Sequence, residues 1–421
     1  DGSEQNPYQI ATLAHLKWLS FSDSVWNQNK HFIQTSDINA TETKNWANGY
    51  GFSPIAGKIQ KHFTGTYNGQ FFKIHGIVIS RPNTGLIGLF SKIKGATLKN
   101  INITDGNFTG KTSVGGLTGL AELNSTIQNS SFEGIISGQL RVGGLVGRNS
   151  SQVLRSFSRG VVNADEYEVG GIVGSNNSNK SKIIDCFSDA NVSGSFRVGG
   201  LVGLNAHGGF ITRSYSSGFV SNVNSSGGLV GAEGSSVSYS FWDINSSVIS
   251  TSAGGTGAVG KSTVDMMTPS TFLDAGWDFN QTGGTWKMIA GQTYPRLAWE
   301  TLPNTTPSDL NSTAPLQVLE NQPAGTLVGQ FTAEDPDLPT TLTYTLVGGA
   351  LDNHFFSLDT NGTLRTASAL DYEANATLTI QAKVRDQQNA WIEHNFTVQI
   401  LNVVEDLDGD GVEDAYDTDD D

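Results

Sequence analysis

The chain has 421 residues, 50 glycines, a single cysteine and only 15% charged residues. One cysteine excludes an intrachain disulfide, and no apolar run reaches the length of a membrane helix. The net charge of −15 is uneven: from Leu302 onward 21 acidic side chains face 3 basic ones, which leaves +3 for the rest, and such an acidic block argues against a nucleic-acid partner.

Near the start, Leu13, Leu16 and Leu19 in "TLAHLKWLS" have helical spacing. They predict one short helix, placed to cover the open end of a repeat array. The repeat itself is plain. "SVGGLTGLA" from Ser113 returns as "RVGGLVGRN" from Arg141, "EVGGIVGSN" from Glu168, "RVGGLVGLN" from Arg197 and "SSGGLVGAE" from Ser225. The second glycine falls at Gly116, Gly144, Gly171, Gly200 and Gly228, in steps of 28, 27, 29 and 28 residues. "TGLIG" from Thr84 reads as a degenerate sixth copy, 31 residues upstream. A fixed period in the twenties marks a solenoid of stacked coils.

Between the phrases lie alternating stretches such as "VLRSFS", "KIIDCFS" and "GFITRSYS", which read as strands. Alternation predicts that Leu145 and Gly147 share a face opposite Val146. The Gly-Gly pair permits either positive φ or close backbone approach. Leu117, Leu145, Ile172, Leu201 and Leu229 are expected to form one inward column. Phe132, Phe157, Phe187 and Tyr215 are expected to stack as an aromatic ladder, with Cys186 a buried small hydrophobe beside it. Asp165, Glu166 and Glu168 in "DEYE" are the one local acid cluster of the array and read as a solvated turn, not a glycan-cleaving centre.

"GTGAVGKS", Gly255 to Ser262, satisfies the phosphate-loop pattern G-x-x-x-x-G-K-S/T. It lacks the buried strand before and the helix after that phosphate binding requires, so it reads as a surface loop. The seven histidines form no H-x-x-x-H pair. After Trp242 the period is lost, and Trp277, Trp286 and Trp299 are expected to close the solenoid. "LPNTTPSDLNSTAP" is a linker by composition. "LTYTLV", "GTLRTA", "ATLTIQAKV" and "FTVQIL" then give a β-sandwich pattern.

The strongest chemical motif is "DLDGDGVEDAYD". Asp406, Asp408, Asp410, Asp414 and Asp417 occupy positions 1, 3, 5, 9 and 12, with Gly411 at position 6. That is the oxygen spacing of a calcium loop, to which Val412 adds its backbone carbonyl. Asp417, Asp419 and Asp421 look like the start of a second copy. The start at Asp1 without Met and the stop within "DTDDD" suggest a processed piece of a longer chain.

Three resemblances sharpen this reading. The array resembles the GLUG-motif repeats of bacterial surface proteins, found in large adhesins and some surface peptidases. "FTGTYNGQFFKIHGIVIS" looks like their first coil and "GWDFNQTGGTWKMIAGQTYPRLAWE" like their exit. That resemblance implies a right-handed parallel β-helix. The sandwich segment resembles a cadherin repeat: Glu320 in "VLENQPAGT", Asp335 and Asp337 in "TAEDPD", Asp371 and Glu373 in "LDYE", and Asp386 in "KVRDQQNA". The closing motif is altered to "LNVVEDLD". The resemblance implies calcium held by Glu320, Asp371 and Glu373 at the end facing the tail, and by Asp335, Asp337 and Asp386 at the end facing the β-helix. The tail loop is similar to thrombospondin type-3 repeats.

The expected all-β organisation is an N-terminal cap and first coil (1–80), a repeat β-helix (81–241), its C-terminal cap (242–300), a linker (301–314), a cadherin-like sandwich (315–404) and an acidic calcium-binding repeat (405–421). The expected role is a non-catalytic, secreted bacterial surface protein for adhesion or scaffolding, with calcium as the only cofactor. Its partners would be other surface modules, copies of itself, glycans or a host or biofilm surface, with no nucleic acid or nucleotide. The rivals are an extracellular filament subunit and a polysaccharide-active β-helix enzyme.

Overall fold

The computed structural model describes every residue except 222–224, 281–282, 302–303, 339 and 404–421. The predicted calcium loop, with Asp406, Asp408, Asp410, Val412, Asp414 and Asp417, therefore lies outside the described residues. The chain divides into two compact units, Asp1–Asp278 and Phe279–Asp421.

The first unit is a parallel β-solenoid. Among the described residues its strands form three sheets, of nine, fourteen and six strands. Each sheet grows by adding the corresponding strand of the next coil. In the first sheet Tyr67, Leu98, Ile127, Val153, Ile183 and Ile211 are aligned coil upon coil and fully buried. Each such aliphatic side chain contributes roughly 1.5–3 kcal/mol by leaving water, and an apolar residue recurs because every coil meets similar surroundings. The helix Leu13–Phe21 forms as predicted. Thr12 caps it by accepting from the backbone N–H of His15, and Leu16 and Leu19 are buried.

The glycine phrase sits at the corner between the second and third sheets. Leu117, Leu145, Ile172, Leu201 and Leu229 are all fully buried. Each backbone N–H of the first four donates to the carbonyl of the next, at 2.8–2.9 Å, so the inward column exists in register. Val146 is fully buried as well. Gly144 and Leu145 form a bend, and Val146 opens the next strand; strict alternation does not carry across a bend. Register also corrects the degenerate copy. Ile87 pairs with Val114 and Phe90 with Thr118, so Gly88 and not Gly85 stands opposite the glycine pair, in a copy one residue shorter.

The positive φ at this corner belongs to the residue two before the pair. Ser113, Arg141, Glu168, Arg197 and Ser225 have φ of 53°, 59°, 65°, 54° and 59°. The glycines instead permit close approach. A Cβ on Gly144 would lie 2.0 Å from the Gly171 carbonyl oxygen, and one on Gly171 would lie 2.2 Å from that of Gly200. Gly144→Ala should therefore destabilise the solenoid by about 2–3 kcal/mol, the cost of forced overpacking. A thermal melt unchanged from the parent would contradict this.

The aromatic ladder is real but shifted. Phe157, Phe187, Tyr215 and Phe241 are aligned by strand register. The first two rings stack at 4.8 Å and the next pair at 5.1 Å. Trp277 packs over Tyr215 and Phe241, as expected of a closing residue. Phe132 is not a member. It pairs with Ser158, while Ser131 pairs with Phe157. One residue of offset turns a side chain to the other face, and Phe132 lies in the core, 5.2 Å from Phe108. Cys186 is fully buried, and burial pushes its thiol up to about 12, which suits a packed hydrophobe and not a nucleophile.

"GTGAVGKS" is not a loop throughout. Ala258–Lys261 is a strand that pairs in parallel with Ser240–Asp243. The helix after it, Thr263–Met266, has only four residues and is capped by Ser262. Ser262 and Asp265 satisfy each other there, so this helix start serves local capping.

The second unit is a sandwich of two four-stranded sheets. One holds Ser308–Ser312, Leu327–Glu334, Thr363–Thr366 and Phe356–Leu358. The other holds Gln317–Leu319, Trp391–Leu401, Thr377–Arg385 and Thr343–Leu346. Phe331, Leu364, Ile380, Val384, Val398 and Ile400 form its core. The four predicted strands all fall on observed ones. The boundary between the two compact units falls after Asp278, within the segment expected as solenoid cap. Trp286–Ile289 pairs antiparallel with Asp337–Leu338, and Trp286 is fully buried.

Candidate metal centre

Six carboxylates of the sandwich carry the cadherin resemblance, and the structure places them in two groups. The first group begins where the strand Gln317–Leu319 ends. Glu320 is 1% exposed. Its Oε1 accepts from the Val403 N–H and its Oε2 from the Tyr372 N–H, both at 2.7 Å. These two bonds fix the buried carboxylate beside the turn that carries Asp371 and Glu373. Asp371 accepts from the Ala374 N–H at 3.1 Å. Glu373 accepts from the Asn402 side chain at 3.2 Å.

One carboxylate oxygen each from Glu320, Asp371 and Glu373 lies within 4.8 Å of the others. Two oxygens bound to one calcium at about 2.4 Å can be at most about 4.8 Å apart. The spacing thus fits a shared hard cation, and the donors are the all-oxygen set that calcium prefers.

In the second group, Asp386 accepts from the backbone N–H groups of Gln388 and Ala390 and from the Asn304 side chain at 2.7 Å. Asp337 accepts from the Thr305 N–H at 2.8 Å, and Asp335 from the Asp337 N–H at 2.8 Å. Oδ2 of Asp335 and Oδ1 of Asp337 are buried with no hydrogen-bond partner. Burial first, and then the charges of Asp337 and Asp386, raise the Asp335 carboxyl above its ordinary range, while the Asp337 N–H opposes them. Two orphaned carboxylate oxygens are costly to keep buried. The oxygens of this trio do not meet the close spacing of the first.

Nothing in the local sequence marks Asn304 and Thr305, which lie in a segment that reads only as linker. Asn402 is visible within "LNVVEDLD", but its reach to Glu373 is not.

The acid cluster of the solenoid divides. Asp165 and Glu166 are exposed, as expected. Glu168 is 5% exposed and accepts from Arg141 on one neighbouring coil and Arg197 on the other, each at 3.0 Å. It is a register clamp at the strained corner and not part of a solvated turn. The two arginines are about a third exposed, which screens the pair. Glu168→Ala should cost about 2 kcal/mol, between a surface and a buried bridge. The double change Asp165→Ala, Glu166→Ala should stay within about 0.5 kcal/mol. Equal melting temperatures for the two variants would refute the clamp.

Residues 314–401 match the Cadherin domain family. Halomucin of Haloquadratum walsbyi is 31% identical over 148 residues, 35% of this chain and 2% of that protein. The immunoglobulin A1 protease of Streptococcus sanguinis is 30% identical over 247 residues, 55% of this chain and 12% of that protein. The chain thus covers a small part of either relative. The crystal structure of chicken VE-cadherin EC1-2 is 25% identical, covers 26% of this chain and 56% of that one, and superposes with a TM-score of 0.22. The protein is all-β: a parallel solenoid followed by a cadherin-like domain. Among the described residues no helix is long and apolar enough to cross a membrane.

Proposed function

We propose that this chain is a non-catalytic part of a secreted bacterial surface protein, serving adhesion or scaffolding, with calcium rigidifying its C-terminal modules. The observation that carries the reading is the trio Glu320, Asp371 and Glu373, whose oxygens lie within 4.8 Å of one another in a cadherin-like sandwich. Calcium replaces mutual repulsion there with shared coordination. The second trio, Asp335, Asp337 and Asp386, offers a further cation two buried oxygens that accept no hydrogen bond. The loop Asp406–Asp417 supplies the spacing of a third site. The likeness to halomucin and to the protease supports a large extracellular parent. The solenoid contributes a stiff rod.

Calorimetric titration of the full chain with calcium is the test. Saturable binding below millimolar concentration supports the reading, and its absence overturns it. Regular fibres formed by the isolated chain would favour the filament subunit. Loss of polysaccharide viscosity on incubation would favour the enzyme.

A further inference from the structure

A cleft of about 230 Å³ lies in the solenoid's N-terminal region, between the end of the first helix and the turn at Arg81. Phe21, Trp26, Ser53, Lys58 and Arg81 are among its lining residues. Arg81 is held firmly. Its backbone N–H donates to the Thr109 carbonyl, and its own carbonyl accepts from Thr84. The guanidinium donates to Ser53 Oγ at 3.1 Å and lies 5.8 Å from the centre of the Tyr50 ring. Its Nε is buried without a hydrogen-bond partner. No carboxylate of the described residues forms an ion pair with it.

The contrast with Lys58 is informative. That ammonium bonds Asp23 at 2.8 Å, so its charge is already met. Arg81 is the cation in this cleft that no carboxylate of the described residues meets. Its Nε is sealed by protein atoms, so only the Nη groups can meet a ligand in the cleft. A guanidinium presents paired donors suited to a carboxylate. Burial also lowers the guanidinium's proton affinity, the mark of a charge removed from water without a counter-ion.

The rest of the cleft is mixed. Phe21 is 60% exposed and Trp26 is buried, while serine and threonine hydroxyls supply neutral polar groups. At about 230 Å³ the cleft is smaller than the roughly 300–1,000 Å³ of a drug-sized site, which suits one small ring. We propose that this cleft binds the acidic sugar unit of a glycan, with the sugar carboxylate on Arg81 and a C–H face of its ring against Phe21. The assignment deepens the proposed surface role by naming a ligand class. It needs no calcium, so its failure would leave the calcium reading untouched, and the converse holds too.

The test is saturation-transfer NMR and calorimetry on the full chain in chelator, with glucuronate and N-acetylneuraminate as probes and glucose, acetate and sulfate as comparisons. At least one acidic sugar should saturate at millimolar concentration, and the comparisons should bind at least tenfold more weakly. Arg81→Gln should weaken that binding at least tenfold and Phe21→Ala severalfold, each with the parent's circular dichroism. If Arg81→Gln fails to fold, the exposed Phe21→Ala decides. Parent-like affinity in the folded variants, equal binding of acetate, sulfate or glucose, or no acidic-sugar binding at tens of millimolar would overturn the proposal.

Discussion

Leu145→Asp should melt the middle of the solenoid. Leu145 is fully buried, and its backbone bonds tie it to Leu117 on one coil and Ile172 on the next. An aspartate there would sit within the apolar core cluster beside already paired backbone. Burying an unpaired carboxylate costs several kcal/mol or more, and relaxation or protonation removes only part of that. Each coil of a solenoid is stabilised by its immediate neighbours. The damage should therefore be local: limited proteolysis should cut near the coils of Leu117, Leu145 and Ile172 while the sandwich stays intact. Leu145→Met conserves volume and should cost less than about 1.5 kcal/mol. Protease resistance equal in parent and Leu145→Asp would rule out the inward column.

The period makes the solenoid legible because stacked coils repeat one environment, so Leu and Gly return where the core and the close approach return. Features that depend on contacts between coils are hidden. Glu168 looks like part of a polar turn because its neighbours in sequence are Asp165 and Glu166. Its neighbours in space are Arg141 and Arg197, about one repeat away on either side. Bidentate pairing of Arg213 with Asp185, at 2.7 and 3.0 Å, obeys the same rule. Opposite charges on successive coils reward correct stacking, but they are read only once the register is known. Phe132 shows the converse limit. "SSFEG" resembles "RSFSRG" closely enough to invite alignment, and a single-residue offset reverses the face. In the sandwich the acidic residues are legible by spacing and by family likeness. Their fixing bonds are not, because Thr305, Tyr372 and Val403 act through backbone N–H groups that any residue but proline provides.

Calcium should produce the largest change in the second unit. Without a cation, Glu320, Asp371 and Glu373 hold carboxylate oxygens within 4.8 Å and repel one another. A ligand that binds only the folded state stabilises it by about 2.7 kcal/mol at a hundredfold excess over Kd. For a domain of this size that is a rise in melting temperature of roughly 10–20 °C. Magnesium should do less, because it demands a tighter octahedron and gives up water reluctantly. The variants must separate binding from folding. Glu320→Ala would strand the N–H groups of Tyr372 and Val403, at about 1–3 kcal/mol each, and would lower stability with or without calcium. Asp371 and Glu373 are exposed, so Asp371→Asn with Glu373→Gln should leave the calcium-free protein nearly unchanged. That double variant should lose most of the calcium-induced rise in the sandwich transition. Asp408→Ala with Asp410→Ala should leave this rise largely in place and abolish calcium protection of the tail against proteolysis. The raised Asp335 carboxyl adds a pH signature. A carboxyl whose folded-state pKa lies above its unfolded value favours folding when protonated, and that contribution is lost as pH rises through the folded value. The calcium-free second unit should therefore lose this contribution as pH rises from the acid range, and calcium should offset the loss. A calcium-induced rise that persists in Asp371→Asn with Glu373→Gln would place the ion elsewhere than between these carboxylates.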